Sequence, residues 1–263
     1  MSEVVLIEVD QGVALLTLNR PDRLNAWTGE MQVRYFDLLE ECACDDEVRA
    51  IVVTGAGRGF CAGADMSNLQ ALAGGDGSSR SSGEGVDDRP VTFPLTIGKP
   101  IVAAINGACA GLGFVIALMC DLRFAAADAK LTSAFARRGL IAEHGISWML
   151  PRLVGPARAL DVLLSARVLL GEEAAEMGLV NRAVAGQSVL EESLGYARML
   201  ASECSPASMA QIKRQVYEDY ERGLSDALAN ANQLMLDSFS RPDFAEGVQS
   251  FLERRPPRFA PLR

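Results

Sequence analysis

Two glycine-broken segments constrain this chain more than any other feature. Residues 50–67 read A-I-V-V-T-G-A-G-R-G-F-C-A-G-A-D-M-S, and residues 101–121 read I-V-A-A-I-N-G-A-C-A-G-L-G-F-V-I-A-L-M-C-D. Each is an apolar, β-rich run that stops at glycine and starts a new element. Glycine permits a sharp turn and a close approach to main-chain N–H groups. Two such breaks can aim two N–H donors at one point, which is the geometry that holds an oxyanion.

The rest of the composition narrows the setting. With 263 residues the chain can bury one large core, with or without an appendage. A net charge of −9 argues against nucleic acid, whose phosphates need a basic face, and against an anionic membrane surface. The apolar run 101–119 is interrupted by Asn106 and glycines and ends on Asp121, so it reads as buried strand, turn and helix, not as a membrane span. The opening M-S-E-V-V-L-I-E-V-D has no basic leader and no long apolar stretch, so a cytoplasmic location is expected. Cys42, Cys44, Cys61, Cys109, Cys120 and Cys204 form no Cys-x-x-Cys pair; reduced thiols and no metal site are expected.

Periodicity predicts strands at 4–8 and 13–18 joined by an Asp10-Gln11-Gly12 turn, and a helix over 28–43 capped by Thr28. A buried strand follows at 50–54, and a helix is expected over 65–73. The polar, low-complexity stretch 74–90 reads as a mobile loop near the site. After Pro100 come a strand (101–105), a glycine turn, a helix (111–120) and strands at 121–126 and 129–133. Helices are expected at 145–153, 156–165 and 172–177, and throughout from 188 onward, with Pro206 starting one and Gly223 and Pro242 as breaks.

Several motifs together resemble the enoyl-CoA hydratase/isomerase (crotonase) family: R-P-D-R-L-N-A (20–26), G-F-C-A-G-A-D-M (59–66), K-P-I-V-A-A-I-N-G (99–107), the glycine-rich stretch ending M-C-D (111–121), E-E-A-A-E-M-G-L-V-N (172–181) and the C-terminal 243–259 segment. The resemblance runs in order over nearly the whole chain. It implies an α/β spiral of strand-strand-helix units over 1–195 and a helical oligomerisation region over 196–263. It further implies homotrimers or hexamers and an acyl-CoA substrate, with no metal or redox cofactor beyond it.

The same resemblance assigns roles. Ala64 and Leu112 supply the backbone N–H groups that grip the thioester carbonyl, with leucine standing where relatives usually carry glycine. Arg23, Leu24 and Ala26 lie along the CoA, and Arg20, Arg254 and Arg255 are further candidates for its phosphates. Ala62, Asp65, Met66, Val115, Phe135 and Trp148 complete the substrate site. The two glutamates of a typical hydratase fall here on Val115 and Phe135, so hydration by two cooperating glutamates is not expected. Glu143 remains as the single acid/base, similar in place to a functional aspartate of dienoyl-CoA isomerases. Apolar lining by Val115, Phe135 and Trp148 would strip its hydration and raise its pKa. His144, the only histidine, is expected to point away from it.

Two rivals stand beside this reading. V-V-T-G-A-G-R-G-F looks like the phosphate turn of a short-chain dehydrogenase, but its glycines are not spaced G-x-G-x-x-G and no Tyr-x-x-x-Lys pair is present. A catalytically silent acyl-CoA-binding homologue is the other, suggested by the loss of both usual glutamates. The favoured reaction is enoyl-CoA isomerisation or a non-standard hydration.

Overall fold

The computed structural model describes residues 3–65 and 87–262. The expected helix over 65–73 and most of the 74–90 loop lie outside the described residues, as does Met66.

Strands β1 (Val5–Asp10) and β2 (Val13–Leu18) form an antiparallel hairpin whose turn residues Gln11 and Gly12 both have positive φ. That conformation matches the twist of the flanking strands. Helix α1 (Gly29–Cys44) starts where Thr28 Oγ1 accepts a hydrogen bond from the Met31 N–H, at 3.2 Å. Its apolar stripe, including Met31, Phe36 and Leu39, is buried. At its far end Lys99 Nζ donates to the Cys42 carbonyl at 2.6 Å, so a buried ammonium satisfies the helix C-terminus. Burial pushes the Lys99 pKa down.

The chain then repeats one unit. Strand β3 (Ala50–Gly55) turns at glycine into β4 (Gly59–Cys61); β5 (Ile101–Ile105) turns into β6 (Ala108–Ala110) and helix α2 (Leu112–Leu118); β7 (Leu122–Ala126) turns into β8 (Lys130–Thr132). The first strand of each pair enters one sheet and the second enters another. With β9 (Leu169–Leu170) and β10 (Arg182–Val184), the sheets order β1-β2-β3-β5-β7-β10 and β4-β6-β8-β9. All pairings are parallel except β1–β2 and β8–β9. Near-continuous apolar strands such as Ala50–Gly55 suit a sheet buried on both faces. One face carries the main core; the other is covered by the helix Val189–Glu203, through Ala197 and Ala201 against Val52, Val102 and Ala104.

Helices α3 (Ile146–Val154), α4 (Pro156–Ser165) and α5 (Gly171–Glu176) follow, and then α6 (Val189–Glu203), α7 (Pro206–Asp219), α8 (Leu224–Phe239) and α9 (Pro242–Glu253). Pro206 and Pro242 sit at helix starts, where the missing N–H costs nothing. The division expected at residue 195 falls inside α6, an unbroken helix packed on β3 and β5.

Asp121, the last residue of the second glycine segment, fastens the helical region to the sheet. Its carboxylate accepts from the Ile101 N–H (2.7 Å), from Lys213 Nζ (2.8 Å) and from the Tyr217 hydroxyl (3.0 Å), both side chains belonging to α7. Lys213 is 8% exposed and Asp121 16%, so little water screens the pair. Asp121→Ala leaves the Ile101 N–H without its acceptor and the Lys213 ammonium without its counter-charge, held only by the Pro94 and Lys99 carbonyls. We expect a loss of about 3–5 kcal/mol in urea unfolding. A change inside about 0.5 kcal/mol, the range of inert surface substitutions, would show the contact to be idle.

Candidate active site

The R-P-D-R-L-N-A loop is held to the first glycine turn by one side chain. Asn25 is fully buried; its Nδ2 donates to the carbonyls of Gly59 (2.8 Å) and Ala56 (3.0 Å), and its Oδ1 accepts from the Arg20 N–H (2.8 Å). Leu24 and Asn25 both adopt positive φ, which folds the loop back so that the Leu24 carbonyl receives the Ala62 N–H at 3.0 Å. Asn106 stitches the second glycine turn to the first, donating to the carbonyls of Gly55 (2.8 Å) and Gly57 (3.0 Å). These two asparagines are the residues that sequence reasoning left out. Their signal was present, since each sits beside a glycine turn in a motif.

Ala64 forms an isolated parallel bridge with Trp27, made by the Trp27 N–H on the Gly63 carbonyl (2.8 Å) and the Asp65 N–H on the Trp27 carbonyl (3.0 Å). A parallel bridge of this kind uses the groups flanking Ala64 and turns its own N–H the other way. Leu112 is the first residue of α2. The helical ladder begins with the Val115 N–H on the Gly111 carbonyl, at 3.1 Å, so the N–H of Leu112 has no acceptor within the helix. The two peptides adjoin: a Cβ placed on Gly63 would lie 3.7 Å from the Leu112 nitrogen, and one on Gly111 would lie 3.9 Å from the Gly63 Cα. Gly111, at φ 52° and ψ −122°, holds a conformation that an L side chain would strain. The fold thus brings the Gly63-Ala64 and Gly111-Leu112 peptides together.

The remaining candidates divide. Arg23 is exposed, with no ion pair among the described residues. Arg20 is committed to Asp65, at 2.9 Å, and Arg255 to Glu246, at 2.6 Å, so neither is a spare cation for a phosphate. Val115 and Phe135 are closed into the main core, at 0% and 5% exposure. Trp148 packs edge-on against Tyr220 and carries the Arg152 guanidinium 4.0 Å above its ring.

Glu143 lies in the turn before α3, the helix packed against α2. Its side chain is 34% exposed, so the carboxylate keeps part of its hydration and the expected apolar enclosure is not what surrounds it. His144 does not point away: its Nε2 lies 3.8 Å from a Glu143 carboxylate oxygen. The reason is backbone. His144 (φ 55°) and Gly145 (φ 77°) are both left-handed, and two such residues in succession turn the chain back on itself. Cys61, behind the first glycine turn, is fully buried with its thiol pushed up to about 11 by burial, which removes it as a nucleophile at neutral pH. Among the described residues no group of three or more His, Cys, Asp or Glu side chains is placed to hold a metal, and no helix is long and apolar enough to cross a membrane.

A strand-strand-helix spiral whose glycine turns bring two peptides side by side defines a class of α/β proteins. Within it, a family model for enoyl-CoA hydratase/isomerase matches residues 8–261. A 1,2-epoxyphenylacetyl-CoA isomerase of Escherichia coli is 34% identical, over 98% of this chain and 99% of its own. A probable enoyl-CoA hydratase of Rhodobacter capsulatus is 37% identical, over 96% of both. Among solved structures, the enoyl-CoA hydratase EchA12_1 of Mycobacterium marinum is 48% identical over 84% of this chain and 100% of that one, with a TM-score of 0.71. An enoyl-CoA hydratase of Polaromonas sp. JS666 is 29% identical over 97% and 99%, with a TM-score of 0.89. The chain belongs to the enoyl-CoA hydratase/isomerase family and is an enzyme of that family.

Proposed function

We propose that this enzyme isomerises an enoyl-CoA or related acyl-CoA thioester, using the Ala64 and Leu112 N–H groups for the carbonyl oxygen and Glu143 as the only acid/base. The observation that carries this reading is the juxtaposition of the Gly63-Ala64 and Gly111-Leu112 peptides. Removing an α-proton places charge on the thioester oxygen, and donors fixed in advance stabilise that charge without reorganising. One carboxylate can take the proton from one carbon and return it to another. Val115 and Phe135 have no ionisable group to move a proton, so a two-glutamate hydration has no second group. A relative named as an isomerase of 1,2-epoxyphenylacetyl-CoA supports placing isomerisation among this family's reactions. The reading calls for no metal and no redox cofactor. Calorimetry with a saturated acyl-CoA, followed by turnover across a panel of enoyl-CoA thioesters, tests it. Absence of binding at millimolar concentration rejects the site, while binding without turnover of any thioester leaves the silent-homologue reading standing in its place.

The same reading includes a homotrimer or a dimer of trimers. Leu224, Leu228, Leu236, Phe239, Phe251 and Leu252 on α8 and α9 are all exposed in the single chain. So many exposed large apolar side chains on two successive helices are seldom left to water. Multi-angle light scattering should return three or six subunits; a monodisperse monomer would refute it.

A further inference from the structure

Arg138 belongs to the T-S-A-F-A-R-R-G stretch that separates β8 from the Glu143 turn, and no motif gave it a role. It ends a short 3₁₀ turn (Ala136–Arg138), closed by the left-handed Gly139. The side chain of its neighbour, Arg137, donates to the Ser165 carbonyl at 3.1 Å. That of Arg138 has no ion pair or hydrogen bond among the described residues. Its Nη1 lies 3.9 Å from the position a Cβ on Gly111 would occupy. The same position lies 3.9 Å from the Gly63 Cα. An exposed, uncommitted guanidinium therefore stands beside Gly111, the residue that immediately precedes Leu112.

We propose that Arg138 is a charge-supplying residue of the active site, favouring the anionic oxygen that forms on the acyl-CoA carbonyl. This rests on the reading of Ala64 and Leu112 as the carbonyl's donors. When an acyl thioester enolises, the α C–H bond breaks and its proton leaves to a base or to solvent; the C–H electron pair forms the carbon–carbon double bond, and the carbonyl π pair moves onto the oxygen. No electron is gained or lost overall. A cation near that oxygen favours the enolate over the keto form, and arginine stays charged throughout the neutral and alkaline range.

Acetoacetyl-CoA is a suitable probe because its enolate absorbs in the near ultraviolet and its enolisation needs no turnover. The bound enolate-to-keto ratio is measured at one fixed pH for the wild-type enzyme, Arg138→Ala and Arg138→Lys. Arg138→Ala should lower the ratio about tenfold, less than the loss of a donor fixed in the hole because solvent screens the charge. Arg138→Lys should recover part of it. An unchanged ratio in Arg138→Ala, with the ligand still bound, overturns the proposal. An equal loss of affinity for acetoacetyl-CoA and for free CoA, with the ratio unchanged, overturns it in favour of a phosphate contact. Failure of the wild-type enzyme to bind acetoacetyl-CoA rejects the acyl-CoA reading itself, and Arg138's role with it.

Discussion

Glu143→Gln should lower turnover of a confirmed substrate on the order of 10²- to 10⁴-fold, the usual contribution of one general acid/base. Affinity for the acyl-CoA should stay nearly the same, because the amide keeps the volume and loses only the proton chemistry. Folding should be unaffected: the side chain is one-third exposed, and its one ion-pair partner among the described residues is His144, at 3.8 Å. The His144→Ala variant separates two accounts. If Glu143 works alone, that variant loses little. If the imidazole steers the carboxylate, it loses rate in the same direction by less. Full activity in Glu143→Gln would remove the carboxylate from the mechanism and move the search for a base to His144.

The second large effect concerns a donor that no ordinary side-chain substitution can reach. Leu112→Pro deletes the N–H of Leu112 and should cost about 10²- to 10³-fold in kcat, the range seen when one oxyanion donor is lost. The position tolerates proline. Leu112 opens α2, where the N–H has no helical acceptor and proline's fixed φ suits the first turn. The residue before it is Gly111 at φ 52° and ψ −122°. That is the mirror image of a polyproline conformation, which an achiral residue adopts ahead of proline without clash. Leu112→Ala keeps the N–H and should stay within several-fold of wild type. Circular dichroism and thermal melts establish that both variants fold. A folded Leu112→Pro enzyme with unimpaired kcat would show that this N–H does not hold the carbonyl.

Much of the molecule was legible before any coordinates. The hairpin at Gln11-Gly12, the Thr28 cap, the buried strands at 50 and 101 and the proline-started helices all follow from local rules, since each depends on residues close in sequence. The short strands Gly59–Cys61 and Ala108–Ala110 were less so. Three residues carry too little periodicity to announce themselves, and these exist because each pairs with the other in a second sheet.

The chain's sequence alone determined the family, the glycine turns and the apolar residues at 115 and 135, because those are statements about which residue stands where. Tertiary structure decided which charges are spoken for. Arg20 and Asp65, Arg255 and Glu246, and Asp121 with Lys213 meet only after distant segments are packed. It also decided that Glu143 and His144 face each other, that Val115 and Phe135 are sealed in the core, and that Arg138 stands beside Gly111. Spacing along a chain fixes neither a left-handed pair of turn residues nor the side on which a guanidinium comes to rest. Both are set by the packing of elements that sequence order keeps apart.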